Sequence, residues 1–189
     1  MTTVAEAPER DRLLDAVEQL CYSRGVQAVG MDEIRAASGV SLKRIYQLYP
    51  GKEELVLAFL DRRDRRWRGS LEAYVDRRRA PHKRIEAVFD WLHQWFAEPD
   101  FRGCAWINAF GELSAASPRI VAAVRAHKEA FRDYLAGLVA AAGHPRTATA
   151  AIFLLAEGAM VTAAISGTPA PALQAKAAAT ALLTANRRG

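Results

Sequence analysis

Apolar residues recur at three- and four-residue intervals through most of the chain, the period of one helix face. Leu13, Ala16, Val17, Leu20 and Cys21 form the first stripe, in a helix expected from about Glu9. Arg24-Gly25 closes it, glycine supplying the left-handed cap. The first eight residues lack this period and end in Pro8, which predicts a flexible arm. A second helix is expected from Met31, with Gly30 as cap and Asp32 and Glu33 complementing the positive helix end. It should bury Ile34 and Ala37 and stop at Gly39. Ser41 then caps a helix of about two turns that Pro50 ends. At roughly 100° per residue, Ile45, Leu48 and Tyr49 share one side, while Lys43 and Gln47 point the opposite way, flanked by Arg44 and Tyr46.

The pattern continues without a strand-like stretch. A long helix is expected from Lys52 to about Arg79, with Leu55, Leu60, Trp67, Leu71 and Tyr74 among its apolar positions. From about His82 to Ala97, residues Ile85, Val88, Leu92, Trp95 and Phe96 share a face, with Trp91 and His93 toward its edges. Trp106, Phe110 and Leu113 then make an apolar stripe, and Cys104, Asn108 and Glu112 a polar one at spacings of four. That cluster is open to two readings, a ligand pocket with a few polar groups or a core filled by tryptophan. Ser117-Pro118 opens a helix through about Ala141, and Gly143-His144-Pro145 breaks it. Two alanine-rich helices follow, about Arg146 to Ser166 and Pro171 to Asn186. The tract from Ala148 to Ile165 is nearly long enough to span a bilayer, but it contains Glu157 and is mostly alanine. It reads as a buried helix of a globular protein, and no membrane partner is expected.

Charge sharpens the picture around the short polar-faced helix. With 51% hydrophobic and 25% charged residues, the 189-residue chain can bury a core. Its net charge of +5 permits a polyanionic partner without requiring one. Residues 1–50 carry −1, residues 51–84 carry +5 and the remainder +1, so the excess lies behind that helix. Arg62 is already about 15 Å along the axis from Lys52, so most of Arg62, Arg63, Arg65, Arg66, Arg68 and Arg77 to Arg79 are expected as a solvated face among Asp61, Asp64 and Asp76. Cys21 and Cys104 have no paired or metal spacing, which points to free thiols in a reducing compartment. The charged N-terminus argues against a signal peptide, and the expected location is the cytoplasm.

Helix, glycine turn and polar-faced helix together make a helix-turn-helix candidate. The run Leu13-Leu14, Ala16-Val17, Leu20, Gly25, Met31-Asp32-Glu33-Ile34, Ala37, Gly39-Val40-Ser41, Ile45-Tyr46 and Tyr49-Pro50-Gly51-Lys52-Glu53-Glu54-Leu55 closely resembles the N-terminal domain of TetR-family transcriptional regulators. The resemblance implies an all-α homodimer: a helix-turn-helix DNA-binding domain over residues 9–50, reaching to about residue 58, and an effector-binding and dimerisation domain over 51–189. Gly30 stands where a Ser or Thr is common in the family, Gly51 where Ser is frequent, Cys21 where an aromatic is usual, and Lys43-Arg44 where small residues follow the turn serine.

Carried onto this chain, the resemblance assigns Ser41, Leu42, Lys43, Arg44, Tyr46, Gln47 and Lys52 to double-stranded operator DNA. The chemistry agrees: Lys suits guanine and Gln adenine edges, while Ser41, Tyr46 and Lys52 suit phosphates. It also implies a small-molecule effector, largely apolar or aromatic, held by Trp91, Trp95, Cys104, Trp106, Asn108, Phe110 and Glu112. The last two helices would pair across a twofold through Phe153, Leu154, Gly158, Val161 and Ile165. The expected function is a ligand-released repressor on a pseudo-palindromic operator.

Two other classes remain in view. Cys104 near Arg102 suggests a thiol- or redox-sensing regulator. A helical enzyme with its site among the aromatics is the other, although the four histidines lack metal spacing and no nucleophile or phosphate-binding motif is present. Neither catalysis nor a cofactor or metal is expected.

Overall fold

The computed structural model describes residues 6–185. Among them are nine helices and no strand: α1 (Glu6–Arg24), α2 (Met31–Ser38), α3 (Leu42–Leu48), α4 (Lys52–Val75), α5 (Pro81–Phe96), α6 (Ala105–Leu113), α7 (Pro118–Ala141), α8 (Arg146–Ser166) and α9 (Ala170–Ala185). The all-α expectation is met. α1 starts at Glu6 and takes Pro8 into its first turn, where a missing N–H costs nothing because the first helical N–H groups have no intrahelical acceptor. The arm expected over residues 1–8 therefore loses its last three residues to α1, and residues 1–5 lie outside the described range.

The helices group into two compact units that cut across the linear boundary expected at residue 50. One comprises the chain up to Asp64 together with Ala105–Arg125; the other comprises Arg65–Cys104 and the chain from Ala126 onward. In the first, Leu13, Val17, Ile34, Ile45, Leu55 and Val56 are buried. Each contributes about 1.5–3 kcal/mol relative to exposure, which holds the short α2 and α3 in place although neither is long enough to be stable alone.

Two expectations for this unit are corrected. α2 buries Ile34 and Ser38, one turn apart, and leaves Ala37 exposed. Burial of a serine is tolerated because its hydroxyl donates to the Arg35 carbonyl at 3.5 Å and accepts from the Val40 N–H at 3.2 Å. Arg62 and Arg63 are not on a solvated face: their side chains are only 14% exposed and are tied to α1. Arg62 donates to Asp15 at 2.7 Å and to Glu18 at 3.1 Å, and Arg63 donates to Glu18 at 2.6 Å while stacking over Tyr22. Two of the arginines midway along α4 are thus paired with acids of α1.

In the second unit α5, α8 and α9 pack on one another, with Val88, Phe89, Leu92, Ile152, Ala156, Ala172 and Ala175 buried. Alanine on α8 and α9 permits close helix approach. α8 is not the buried helix expected: only 39% of its most apolar window is buried. Its inward residues Ile152, Ala156, Ala159, Met160 and Ala163 are covered, while Leu154, Val161 and Ile165 are 67%, 40% and 82% exposed.

Candidate nucleic-acid interface and helical body

The turn between α2 and α3 depends on one backbone conformation. Gly39 adopts φ +67°, a left-handed geometry that glycine takes without a Cβ penalty, and its N–H closes α2 on the Arg35 carbonyl at 3.0 Å. Val40 is buried just after it and anchors the turn. Ser41 caps α3, its hydroxyl accepting the Arg44 N–H at 3.3 Å. Tyr49 then leaves helical geometry at φ −140°, as the following proline favours.

With Ile45 wholly buried, the rotation of α3 is set. Ser41, Lys43, Tyr46 and Gln47 are exposed, Tyr46 at 49%, and Leu42 is half-buried at the first position of the helix. The structure thus brings a lysine, a tyrosine and a glutamine onto one outward face, a donor set suited to base edges and phosphate oxygens. Arg44 lies elsewhere: its Nε donates to Glu9 of α1 at 2.8 Å, so its charge is balanced within the chain. Lys52 stands half-buried at the first position of α4.

The α2 start compensates for lacking a capping side chain. Glu33 accepts the Gly30 N–H at 3.3 Å and pairs with Arg24. The Arg24 hydrogen bond, with a smaller part from Gly30, holds the Glu33 carboxyl below the usual carboxylate range. On α1, burial pushes the Cys21 thiol up to about 11 against the opposing pull of Lys52. Cys21 is 4% exposed and occupies core volume.

The residues expected to hold an effector are divided between the units. Trp91, Trp95 and Cys104 belong to the second; Trp106, Asn108, Phe110 and Glu112 belong to the first. In the second, Trp67 is the hub: its ring meets Trp91, Trp95, His127 and Phe131 edge-on, with centroids 5.1 to 5.7 Å away. Trp91 donates to Ser70 at 3.2 Å. Cys104 lies before α6 rather than on it, 3% exposed, and its Sγ accepts from Lys128 at 3.3 Å. Lys128 also pairs with Glu157 at 2.6 Å. Among the described residues, Trp67 Nε1 and Glu157 Oε1 are buried without hydrogen-bond partners.

In the first unit Trp106 is 2% exposed and fills core, whereas Asn108 and Phe110 are exposed, Phe110 at 46%. Glu112 is committed to the turn between α1 and α2, where its Oε2 accepts the Gln27 N–H at 2.8 Å. Of the residues expected to hold an effector, it is the one whose carboxylate already serves a backbone donor. Sequence reasoning also missed Trp67, His127, Lys128 and Glu157. One signal was present: Glu157 is the only charge in the tract from Ala148 to Ile165, and a charge on a packed helix needs a partner.

Leu154, Gly158, Val161 and Ile165 fall within about 60° of one another on α8 and are all exposed. Leu173 of α9, 47% exposed, adds an apolar position that sequence reasoning missed. Phe153, the fifth residue expected at the twofold, is half-buried, and its ring meets Phe131 at 6.0 Å.

Comparison with known proteins agrees with this geometry. A family model described as bacterial regulatory proteins, tetR family, matches residues 13–59. The HTH-type transcriptional activator FasR of Mycolicibacterium smegmatis is 34% identical over 134 residues, which cover 69% of this chain and 58% of that protein. An HTH-type transcriptional regulator of Lactococcus lactis is 26% identical over 108 residues, covering 56% of this chain and 55% of its own length. The chain thus spans little more than half the length of these curated relatives. Among solved structures, a TetR-family transcriptional regulator from Streptomyces coelicolor superposes with a TM-score of 0.85 at 28% identity, covering 94% of this chain and 95% of the other. A putative regulator of the same kind from Streptomyces avermitilis gives 0.81 at 28% identity over 95% and 98% of the two chains.

Proposed function

Because this chain belongs to the TetR family of bacterial regulatory proteins, we propose that it is a cytoplasmic homodimer that binds a pseudo-palindromic operator and releases it on binding a small molecule. The observation that carries the reading is the outward face of α3, where Lys43, Tyr46 and Gln47 are exposed on a helix whose rotation is set by Ile45. Two copies of α3 enter successive major grooves about one helical turn apart. Lys43 and Gln47 read base edges, Ser41, Tyr46 and Lys52 hold phosphates, and Arg44 orients α3 against α1 through Glu9.

The exposed apolar stripe of α8, continued by Leu173, supports a twofold interface, since a contiguous apolar face seeks cover. The effector site draws on Trp91 and Trp95 around Trp67, with Cys104, Lys128 and Glu157 as its polar end. The unpartnered Trp67 Nε1 and Glu157 Oε1 support a ligand that has an apolar or aromatic body and carries one acceptor and one donor. Repression follows where the operator overlaps a promoter and the bound dimer excludes polymerase; reporter output that falls on deletion of the gene would refute repression.

The test is selection from a randomised duplex library with the full chain. An enriched two-fold-symmetric sequence, bound with a steep salt dependence, is expected. Lys43→Ala and Gln47→Ala should each cost about 1–3 kcal/mol and relax specificity at one position per half-site. Salt-insensitive binding, or binding unaffected by both changes, would refute the reading.

A further inference from the structure

The first compact unit is larger than the three helices that form the helix-turn-helix head. α6 and the start of α7, residues 105–125, belong to it, and the chain leaves it at three covalent crossings: after Asp64, before Ala105 and after Arg125. Two polar latches fasten residues 105–125 to the head. At the first, Glu112 near the end of α6 meets the turn between α1 and α2. Its Oε2 accepts the Gln27 N–H at 2.8 Å, and its main-chain carbonyl accepts from the Gln27 side-chain amide. The turn leaves room for the carboxylate: a Cβ on Gly25, which sits at φ +89°, would lie 3.1 Å from both Glu112 oxygens. At the second latch Ser117 donates to Glu53, while Arg119 donates to Glu53 at 3.0 Å and Glu54 at 2.6 Å. These two glutamates directly follow Lys52 at the start of α4.

We propose that Glu112 is a positioning residue for operator recognition. By holding α6 to the turn that leads into α2, it fixes how the head is joined to the chain that leaves it. It thereby restricts the orientations in which two recognition helices can be presented together. A backbone N–H taken by a carboxylate is a charge-assisted bond, and the second bond, from the Gln27 amide to the Glu112 carbonyl, makes the contact resist rotation as well as separation. The proposal rests on the DNA-binding reading. Its consequence is specific: loosening the latch leaves each half-site contact intact but relaxes the required spacing between half-sites.

The full chain is tested as wild type, Glu112→Ala, Glu112→Gln and Gln27→Ala, on the operator selected above and on versions with the half-sites moved apart or together by one base pair. Wild type is expected to reject the respaced operators by about tenfold, within the usual cost of a mispositioned contact. Glu112→Ala should keep the half-site sequence and the salt slope, yet distinguish the spacings by less than about threefold. Glu112→Gln, whose amide oxygen still accepts the Gln27 N–H, should retain wild-type discrimination. A merely structural role would lower affinity for all spacings alike. Amide hydrogen exchange reports the latch without DNA: the Gln27 amide should exchange faster in Glu112→Ala, and Gln27→Ala should loosen the same turn without altering Glu112. Unchanged spacing discrimination in both alanine variants, or unchanged exchange at Gln27 in Glu112→Ala, overturns the proposal. A wild type that enriches no sequence overturns the DNA-binding reading itself, a failure visible before any variant is compared.

Discussion

Replacing Ile165 by aspartate tests the twofold interface where the structure makes the consequence largest. Ile165 is 82% exposed on α8 and shares its face with Leu154, Gly158 and Val161. Full burial of an isoleucine contributes about 1.5–3 kcal/mol, and a twofold uses the residue once from each protomer. Covering the exposed part of both copies is therefore worth about 3 kcal/mol, lost when the side chain becomes a carboxylate. Desolvating two carboxylates adds to that loss. A loss of about 3 kcal/mol raises the dimer dissociation constant on the order of a hundredfold. The fold of each protomer should be nearly unaffected, since substitutions at exposed positions usually shift stability by no more than about 0.5 kcal/mol. Sedimentation velocity over a wide range of concentration separates the two effects: wild type should sediment as a dimer and Ile165→Asp as a monomer, with superimposable far-ultraviolet circular dichroism. An Ile165→Asp protein that dimerises like wild type would refute the α8 interface. So would a wild type that stays monomeric throughout.

Three further outcomes follow from other parts of the molecule. Ser41→Ala removes the cap of a seven-residue helix and should cost about 1 kcal/mol in chemical denaturation, with a matching loss of operator affinity. Lys128→Met leaves the Glu157 carboxylate uncompensated and should destabilise by about 3 kcal/mol; the double variant Lys128→Met with Glu157→Leu should recover much of it, as a double-mutant cycle would measure. Cys21, raised from 9.0 to about 11 by burial, should resist alkylation in the native state at neutral pH. Because its folded value lies above the unfolded one, its contribution is fully present below about pH 9 and is lost as pH rises toward 11, on the order of 2 kcal/mol in all. Denaturation midpoints of wild type and Cys21→Ala compared across that window should converge. A constant difference would refute the assignment.

The outward polar face of α3 was legible in the sequence because local rules suffice for it. Ser41 at a cap, Pro50 at a stop and the rotation of about 100° per residue decide which side chains face out, and burial of Ile45 only confirms the rotation. The limits of α8 were legible for the same reason, since Pro145 and Gly167 bound it locally. Which of its apolar residues its own unit covers was not. An alanine-rich helix has no polar face to mark its outside, and only packing leaves Leu154, Val161 and Ile165 exposed.

Partnerships between distant residues lay beyond the pattern altogether. Glu112 and Gln27 are 85 positions apart, and periodicity within one helix carries no information about which turn its last residue will meet. The same holds for Arg44 with Glu9, for Arg62 with Asp15 and Glu18, and for Lys128 with Glu157. In each case the sequence announced a charge on a helix surface. Whether that charge faces solvent, nucleic acid or another helix depends on packing, because a charge takes the nearest compensation available once water is displaced. By itself, then, the sequence determined the helices, their caps, the helix-turn-helix and its polar face, all of which follow from interactions within a few residues. The tertiary structure alone decided the attachment of residues 105–125 to the head, the aromatic hub at Trp67 and the uncovered stripe of α8, because these depend on which surfaces meet.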